Sequence, residues 1–516
     1  MASAALPLPP LTSSLTGGRR AAITVAVMLA TLLQVLDTTI ANVALPHMQT
    51  SLGATPETVN WVLTSYIVAS AIAIPITGWL TERIGRKRLF VWAAIAFTTF
   101  SALCAIATSL EEMVLFRAAQ GIAGAFIVPL SQSVLFDINP PERHARAMAM
   151  FGGGIMIGPI LGPVLGGWLT EYLNWRWVFL VNLPVGLVAT IMLIRFLPST
   201  TQRPMKFDLF GFALLAIGVG ALQLMLDRGQ QLDWFDSWEI MIETGLAAAA
   251  FWMFTVHMLS GREPLLPPAL FKDRNFVTGL LFMAVTGVLL LAGLALLPPL
   301  LQRLYGYSVL DSGFLTAPRG IGTLISMVLA GRLVGKIDAR LLILAGISLM
   351  ALSLWQMSGF TLEMGQQPIV VSGIVQGLGI GFMFVPLQTL AFSSLAVHHR
   401  TTAASLFNLA RSLGGSIGIS VVTTLLARNV QVSHADLAQN ITNSTLANLP
   451  PQIGAVQPLT QSGLAMLDAE ITRQAMMIAY IDDFHLMMLV CLAAIPMLLL
   501  LKKARPVAGG APVMAD

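Results

Sequence analysis

Apolar residues along this chain come in runs of about twenty, the length a helix needs to cross a bilayer. They predict fourteen membrane helices, spans 1 to 14, at 22–44, 58–80, 89–107, 112–136, 148–168, 177–197, 208–227, 239–259, 276–300, 310–331, 341–359, 368–391, 403–427 and 479–501. An even number of crossings puts both termini on one side. If that side is the cytoplasm, the inner segments carry Arg19, Arg20, the cluster Arg83, Arg86, Lys87 and Arg88, and most of the other basic residues. The outer segments then hold only Arg176, Arg228, Arg303, Arg428 and Arg473. This is a strong positive-inside bias. The longest polar stretch, 428–478, faces outward, either as a passive cap or as a docking surface holding a short helix.

The pattern repeats within the chain. PHMQTSLG at 46–53 returns as PLLQRLYG at 299–306, and GWLTERIGRKRL at 78–89 returns, more weakly, as GRLVGKIDARLL at 331–342. Gln120-Gly121 has a counterpart in Gln376-Gly377, and Phe151, Gly158 and Gly162 fall opposite Phe407, Gly414 and Gly418. Spans 1, 2, 4 and 5 thus match spans 9, 10, 12 and 13. Two six-helix halves with spans 7 and 8 inserted between them fit this offset, and repeated halves around a central site are a transporter signature. The predicted organisation is a tail at 1–21, a first half at 22–197, the inserted pair at 198–275, a second half at 276–501 that includes the 428–478 loop, and a tail at 502–516. Residues 1–18 carry no positive charge, so they read as a disordered tail rather than a cleaved signal peptide.

Span 5 has a pattern of its own. Gly154, Gly158, Gly162 and Gly166 recur every four residues, with Gly167 beside the last, and Pro159 and Pro163 share the stretch. Positions four apart lie on one helix face. The glycines form a ridge without side chains that a neighbouring helix can approach to backbone contact.

Composition narrows the class. Of the 516 residues 56% are hydrophobic and 10% are charged, and the mean hydropathy is +0.78. Soluble proteins carry about 25% charged residues, so this is an all-α integral membrane protein. The net charge of +4 is accounted for by topology and does not call for nucleic acid. Cys104 and Cys491 lie in apolar runs and suggest neither a disulfide nor a metal. There is no phosphate-binding G-x-x-x-x-G-K-[ST] loop, so ATP hydrolysis by this chain is not expected, and no cofactor or catalytic residue is expected.

Three further motifs join the glycine ridge. They are Leu36-Asp37 through Asn42 to Pro46, Gly78-Trp-Leu-Thr-Glu82-Arg-Ile-Gly85-Arg86-Lys-Arg88, and Arg117-Ala-Ala-Gln120-Gly121. Together they resemble the major facilitator superfamily over nearly the whole chain, and most closely its fourteen-span drug:proton antiporters of the EmrB type. The resemblance implies the major facilitator fold with helices arranged 6+2+6. It implies that the Gly-Pro stretch of span 5 is the antiporter motif, and that Gly78, Glu82, Gly85, Arg86 and Asp137 form an inner gate in which Arg86 pairs with Asp137. Glu82 departs from the usual Asp of that signature. The resemblance also implies a bacterial inner-membrane pump working with a periplasmic adaptor of the EmrA type and an outer-membrane channel of the TolC type.

Asp37 is the strongest site candidate, because an ionisable group inside a span is costly and functional by default. It lies about 10 Å inside the outer end of span 1 at 1.5 Å per residue. Arg117 falls at a similar depth on span 4, close enough in height to pair. The matching positions in the second half are Leu290 and Gly373, so the pair is not a duplicated packing feature. Arg319 and Arg411 are candidates to hold an anionic group or balance a carboxylate. Asn42, Gln120 and Gln376 are candidates for substrate contact or coupling. Asp482 and Asp483 are read as a helix cap before span 14, Asp208 as the cap of span 7, and Glu243 and His485 as interfacial. The expected function is a proton-coupled exporter of lipophilic or amphipathic toxic compounds. The alternatives are a dedicated exporter of one metabolite or lipid, and a non-transporting sensor or scaffold.

Overall fold

The computed structural model describes residues 16–200, 202, 206–261, 264–441 and 461–502. The two predicted tails fall mostly outside the described residues, as does the middle of the 428–478 stretch.

The fourteen spans are all present. They run over Gly17–Ser51, Glu57–Ile84, Arg86–Ile106, Leu110–Ile138, Pro141–Tyr172, Trp177–Phe196, Leu209–Leu232, Trp238–Ser260, Arg274–Arg303, Val309–Leu333, Ala339–Met357, Gln367–Ser393, Val397–Gln439 and Gln461–Leu500. Polar residues at the entrances set several starts. Ser109, Asp208, Asp273, Ser308 and Asp338 each accept a backbone N–H of the first turn that follows, satisfying donors that an isolated helix leaves open. The expected role of Asp208 is therefore seen. At the other end of span 2, Gly85 takes φ +88°. That conformation suits glycine and lets the chain turn at once into span 3.

Spans 13 and 14 differ from expectation. They do not stop at 427 and start at 479. Span 13 continues as helix to Gln439, and span 14 is already helical from Gln461. Much of the presumed loop is thus two polar helical extensions, joined by His434 and Asp468 at 2.9 Å. Hydropathy reports only the part of a helix that sits in lipid and misses a polar continuation. For the same reason Asp482 and Asp483 are not a cap: they lie in the interior of the span 14 helix. Asp483 is buried, and neither of its carboxylate oxygens has a hydrogen-bond partner.

The packing follows the sequence repeat. Span 1 packs on span 5, span 2 on span 4, and span 3 on spans 4 and 6. Eight spans on, span 9 packs on span 13, span 10 on span 12, and span 11 on spans 12 and 14. Spans 7 and 8 pack on each other, and span 7 also touches spans 2 and 13. Span 5 and span 10 run against each other over their length, from Gly152 near Met327 to Gly167 near Leu310.

Candidate functional site

Asp37 and Arg117 pair in the interior, Nη1 to Oδ2 at 2.6 Å, with both side chains 0% exposed. Span 1 supplies the acid and span 4 the base. The rest of the cluster comes from span 4 again and from spans 2, 3 and 6. Gln120 Nε2 donates to Asp37 Oδ1 at 2.9 Å, and Asn182 Nδ2 donates to the same oxygen at 2.7 Å. Arg117 Nη1 also donates to Gln120 Oε1, and its Nε donates to the carbonyl of Val62. The guanidinium lies over the Tyr66 ring, 4.3 Å from its centre, a favourable cation–π placement. Asn182 is anchored in turn by Ser101 at 3.0 Å.

This arrangement is matched to a carboxylate. An ionised acid only accepts hydrogen bonds, and here three donors aim at it. Adding a proton would place an O–H among these donors and remove the charge that Arg117 balances, so these contacts suit the ionised acid. Gln120 lies in the cluster around Asp37. Asn42 does not: it lies exposed on span 1. Asn182, Tyr66 and Ser101 were missed. An intramembrane amide just ahead of Pro184 was the only sequence signal for Asn182.

The glycine ridge of span 5 faces span 1, on which Asp37 sits. A Cβ added at Gly154 would collide with Met28. At Gly158 it would come within 2.6 Å of Val35, and at Gly162 it would collide with Thr39. Thr39 donates to the carbonyl of Gly158 across this contact. The two helices therefore meet at backbone distance, and span 5 is helical through both Pro159 and Pro163.

The second charged site lies at the end of the bundle where spans 1 and 14 begin and finish. Arg86 pairs with Asp137 at 2.5 Å, as expected. The other carboxylate oxygen pairs with Arg400, at the head of span 13, at 2.9 Å. Around them spans 4, 12 and 13 are laced by buried contacts. Gln132 accepts from Asn408 at 2.8 Å and donates to Gln388 at 3.3 Å, Ser133 bonds Thr401 at 2.8 Å, and Phe136 stacks on Phe392. Gly78 lies directly against Thr402. Glu82 makes no ion pair among the described residues, so of the residues expected at this gate it stands apart.

The remaining candidates are dispersed. Arg411, on span 13, is half-buried with no ion-pair partner among the described residues. Glu243 is 3.9 Å from Arg228 near the start of span 8, and His485 is exposed. Arg319 and Gln376 are buried on neighbouring spans 10 and 12.

Comparison with known proteins bears on the whole chain. The family model described as Major Facilitator Superfamily matches residues 27–419. The multidrug export protein EmrB of Escherichia coli K12 is 36% identical over 475 residues, 91% of this chain and 93% of that protein. The fatty acid resistance protein FarB of Neisseria gonorrhoeae is 35% identical over 508 residues, covering 97% and 99%. Among solved structures, the human organic anion transporter MFSD10 aligns with a TM-score of 0.58 at 15% identity, covering 92% of this chain and 99% of that one. The proton:xylose symporter XylE aligns with the same TM-score of 0.58 at 15% identity, covering 92% and 95%. These two likenesses speak for the fold. With fourteen spans and near full-length matches at this identity, the chain belongs to the major facilitator superfamily, as a multi-pass membrane transporter of the EmrB type.

Proposed function

We propose that this transporter is a proton-coupled exporter of lipophilic or amphipathic toxic compounds in the bacterial inner membrane, with both termini in the cytoplasm. The observation that carries this proposal is the sealed contact set around Asp37: a buried carboxylate of span 1 held by Arg117 and Gln120 of span 4 and Asn182 of span 6. The printed name of the EmrB relative, a multidrug export protein, supports the export half.

Spans 1–6 and 9–14 act as two halves in a 6+2+6 arrangement and expose the site to each side in turn. Protonation of Asp37 frees Arg117, Gln120 and Asn182 and loosens spans 4 and 6 from span 1. The bare contact between spans 1 and 5 lets the helices shift without a side chain to climb over. The Arg86–Asp137–Arg400 cluster latches the cytoplasmic end shut, so the conformation described is closed toward the cytoplasm. Proton binding at Asp37 and retention of a cationic or lipophilic substrate exclude one another, which couples the two flows. The outward extensions of spans 13 and 14 are the candidate contact for a periplasmic adaptor of the EmrA type, leading to a TolC-type channel.

The test is drug flux in proteoliposomes under an imposed pH gradient. Gradient-driven flux that vanishes in Asp37→Asn is the expected result. Flux indifferent to the gradient would remove proton coupling, and no flux of any compound would leave the sensor or scaffold reading. A second reading, export of one dedicated lipid-like metabolite, is favoured by the printed name of the FarB relative. Transport of a single compound from a chemically mixed panel would select it.

A further inference from the structure

Spans 9, 10 and 12 enclose a second set of donors, and this one has no acid. Arg319 lies inside span 10 at 7% exposure, and its Nη2 has no hydrogen-bond partner. No Asp or Glu pairs with it among the described residues. Gln376 on span 12 is 0% exposed, and neither its Nε2 nor its Oε1 has a partner. The two side chains meet beside Gly293 of span 9. A Cβ added there would lie 3.5 Å from Arg319 Nη1 and 3.7 Å from Gln376 Nε2. Gly373 leaves the other flank bare, 3.7 Å from the Cβ of Arg319 by the same measure.

The internal repeat shows what is missing. Gln376 is the counterpart of Gln120, and Leu290 is the counterpart of Asp37. Arg319 follows Tyr66 by the same interval that separates 46–53 from 299–306, and Tyr66 is the ring beneath the Arg117 guanidinium. The second half therefore keeps a guanidinium and a glutamine amide, the pair of donors that grips Asp37 in the first half, but supplies no carboxylate to fill them. A buried guanidinium without a counter-ion is strongly unfavourable unless something pairs with it. Leu289, Leu290, Leu296 and Leu297 lie three or four residues from Gly293, on the same helix face, and are buried, so the surroundings of the donors are apolar.

We propose that Arg319 and Gln376 form a receptor for the carboxylate head of an amphipathic substrate, whose apolar tail lies along span 9. A planar guanidinium and an amide match the two oxygens of a carboxylate, and the neighbouring leucines suit a hydrocarbon chain. The site rests on the export reading for the delivery of its ligand, but binding is measurable without transport.

The probes are octanoate and octyltrimethylammonium, titrated onto the full-length protein in nanodiscs with empty nanodiscs as blank. The wild type is expected to prefer octanoate. Arg319→Gln should weaken octanoate about tenfold or more, the size expected for losing a charged hydrogen bond, and shift the ratio of the two affinities toward the cation. Because that change removes an unpaired buried charge, the variant should fold. Gln376→Leu, of similar volume, gives an independent and smaller loss if it does not. Octanoate affinity unchanged in both variants, or a wild type that binds the two probes equally, would overturn the site. Octanoate binding that needs Arg319 in a protein with no gradient-driven flux would leave this receptor standing and sink the export reading. Flux with binding indifferent to Arg319 would do the reverse.

Discussion

Asp137, at the end of span 4, pairs with Arg400 at the head of span 13, 2.9 Å away and 263 residues on. Arg86 holds the other oxygen of the same carboxylate. The acid is thus shared between the start of span 3 in the first repeat and the head of span 13 in the second, and this changes what a mutational test should show.

Asp137→Asn should release both arginines together and open this end of the bundle. Labelling of cysteines placed near Gln132 or Gln388 should rise, since a bias of about 1.4 kcal/mol shifts a population ratio tenfold. A two-residue charge swap, Arg86→Asp with Asp137→Arg, should fail because it sets a cation against Arg400. Adding Arg400→Asp should recover part of the transport. Full recovery by the two-residue swap would mean that Arg400 is a bystander.

Asp37→Asn should abolish gradient-driven flux, and it should also lower thermal stability. Removing one partner of a buried ion pair leaves the other unpaired, at a cost of about 3–5 kcal/mol. The double change Asp37→Asn with Arg117→Gln should regain much of the melting temperature and none of the coupling. Flux measured beside a melting curve separates the two effects. Gradient-driven flux in the double variant would take the pair out of the mechanism.

Gly158→Leu and Gly162→Leu should each disable transport, because Val35 and Thr39 of span 1 occupy the space a side chain would need. Overpacking of this kind costs about 1–3 kcal/mol. Leu161, between them, is 41% exposed, and Leu161→Ala should be mild. Equal damage at all three positions, read as flux per folded protein, would contradict a contact between spans 1 and 5 made by the ridge.

Glycine positions should also rank by what opposes them. A Cβ at Gly121 would strike the backbone carbonyl of Tyr66, whereas one at Gly154 would strike the tip of the Met28 side chain. Methionine can swing aside and a helix backbone cannot. Gly121→Ala should therefore lower the melting temperature clearly more than Gly154→Ala. The reverse order in a thermal shift measurement would refute the ranking.

Asp483→Asn should leave stability unchanged or raise it. A cap lost to substitution costs about 1 kcal/mol, but Asp483 caps nothing and is a buried carboxylate without a hydrogen-bond partner. A drop in melting temperature would point to a partner for Asp483 in another conformation.

The fourteen spans were readable from the chain because a helix in lipid must present apolar residues along its whole length, and local composition records that directly. Asp37, Arg117 and the glycine ridge were readable for the complementary reason: a charge or a row of bare positions inside such a run breaks the rule visibly. The helical extensions of spans 13 and 14 were not, since a polar helix outside the bilayer leaves no hydropathy signal. Nor were Asn182, Tyr66 and Arg400. An amide, a phenol and a loop arginine are ordinary residues where they stand in the sequence. Only packing brings Asn182 to one buried carboxylate, Tyr66 beneath the guanidinium that pairs with it, and Arg400 to another carboxylate, because the side chains that satisfy a buried charge are chosen by proximity in space. The sequence by itself determined which segments enter the membrane and which of them carry a charge there. The tertiary structure decided which helices meet, and so which charges are paired and which, like Arg319, are left for something else to fill.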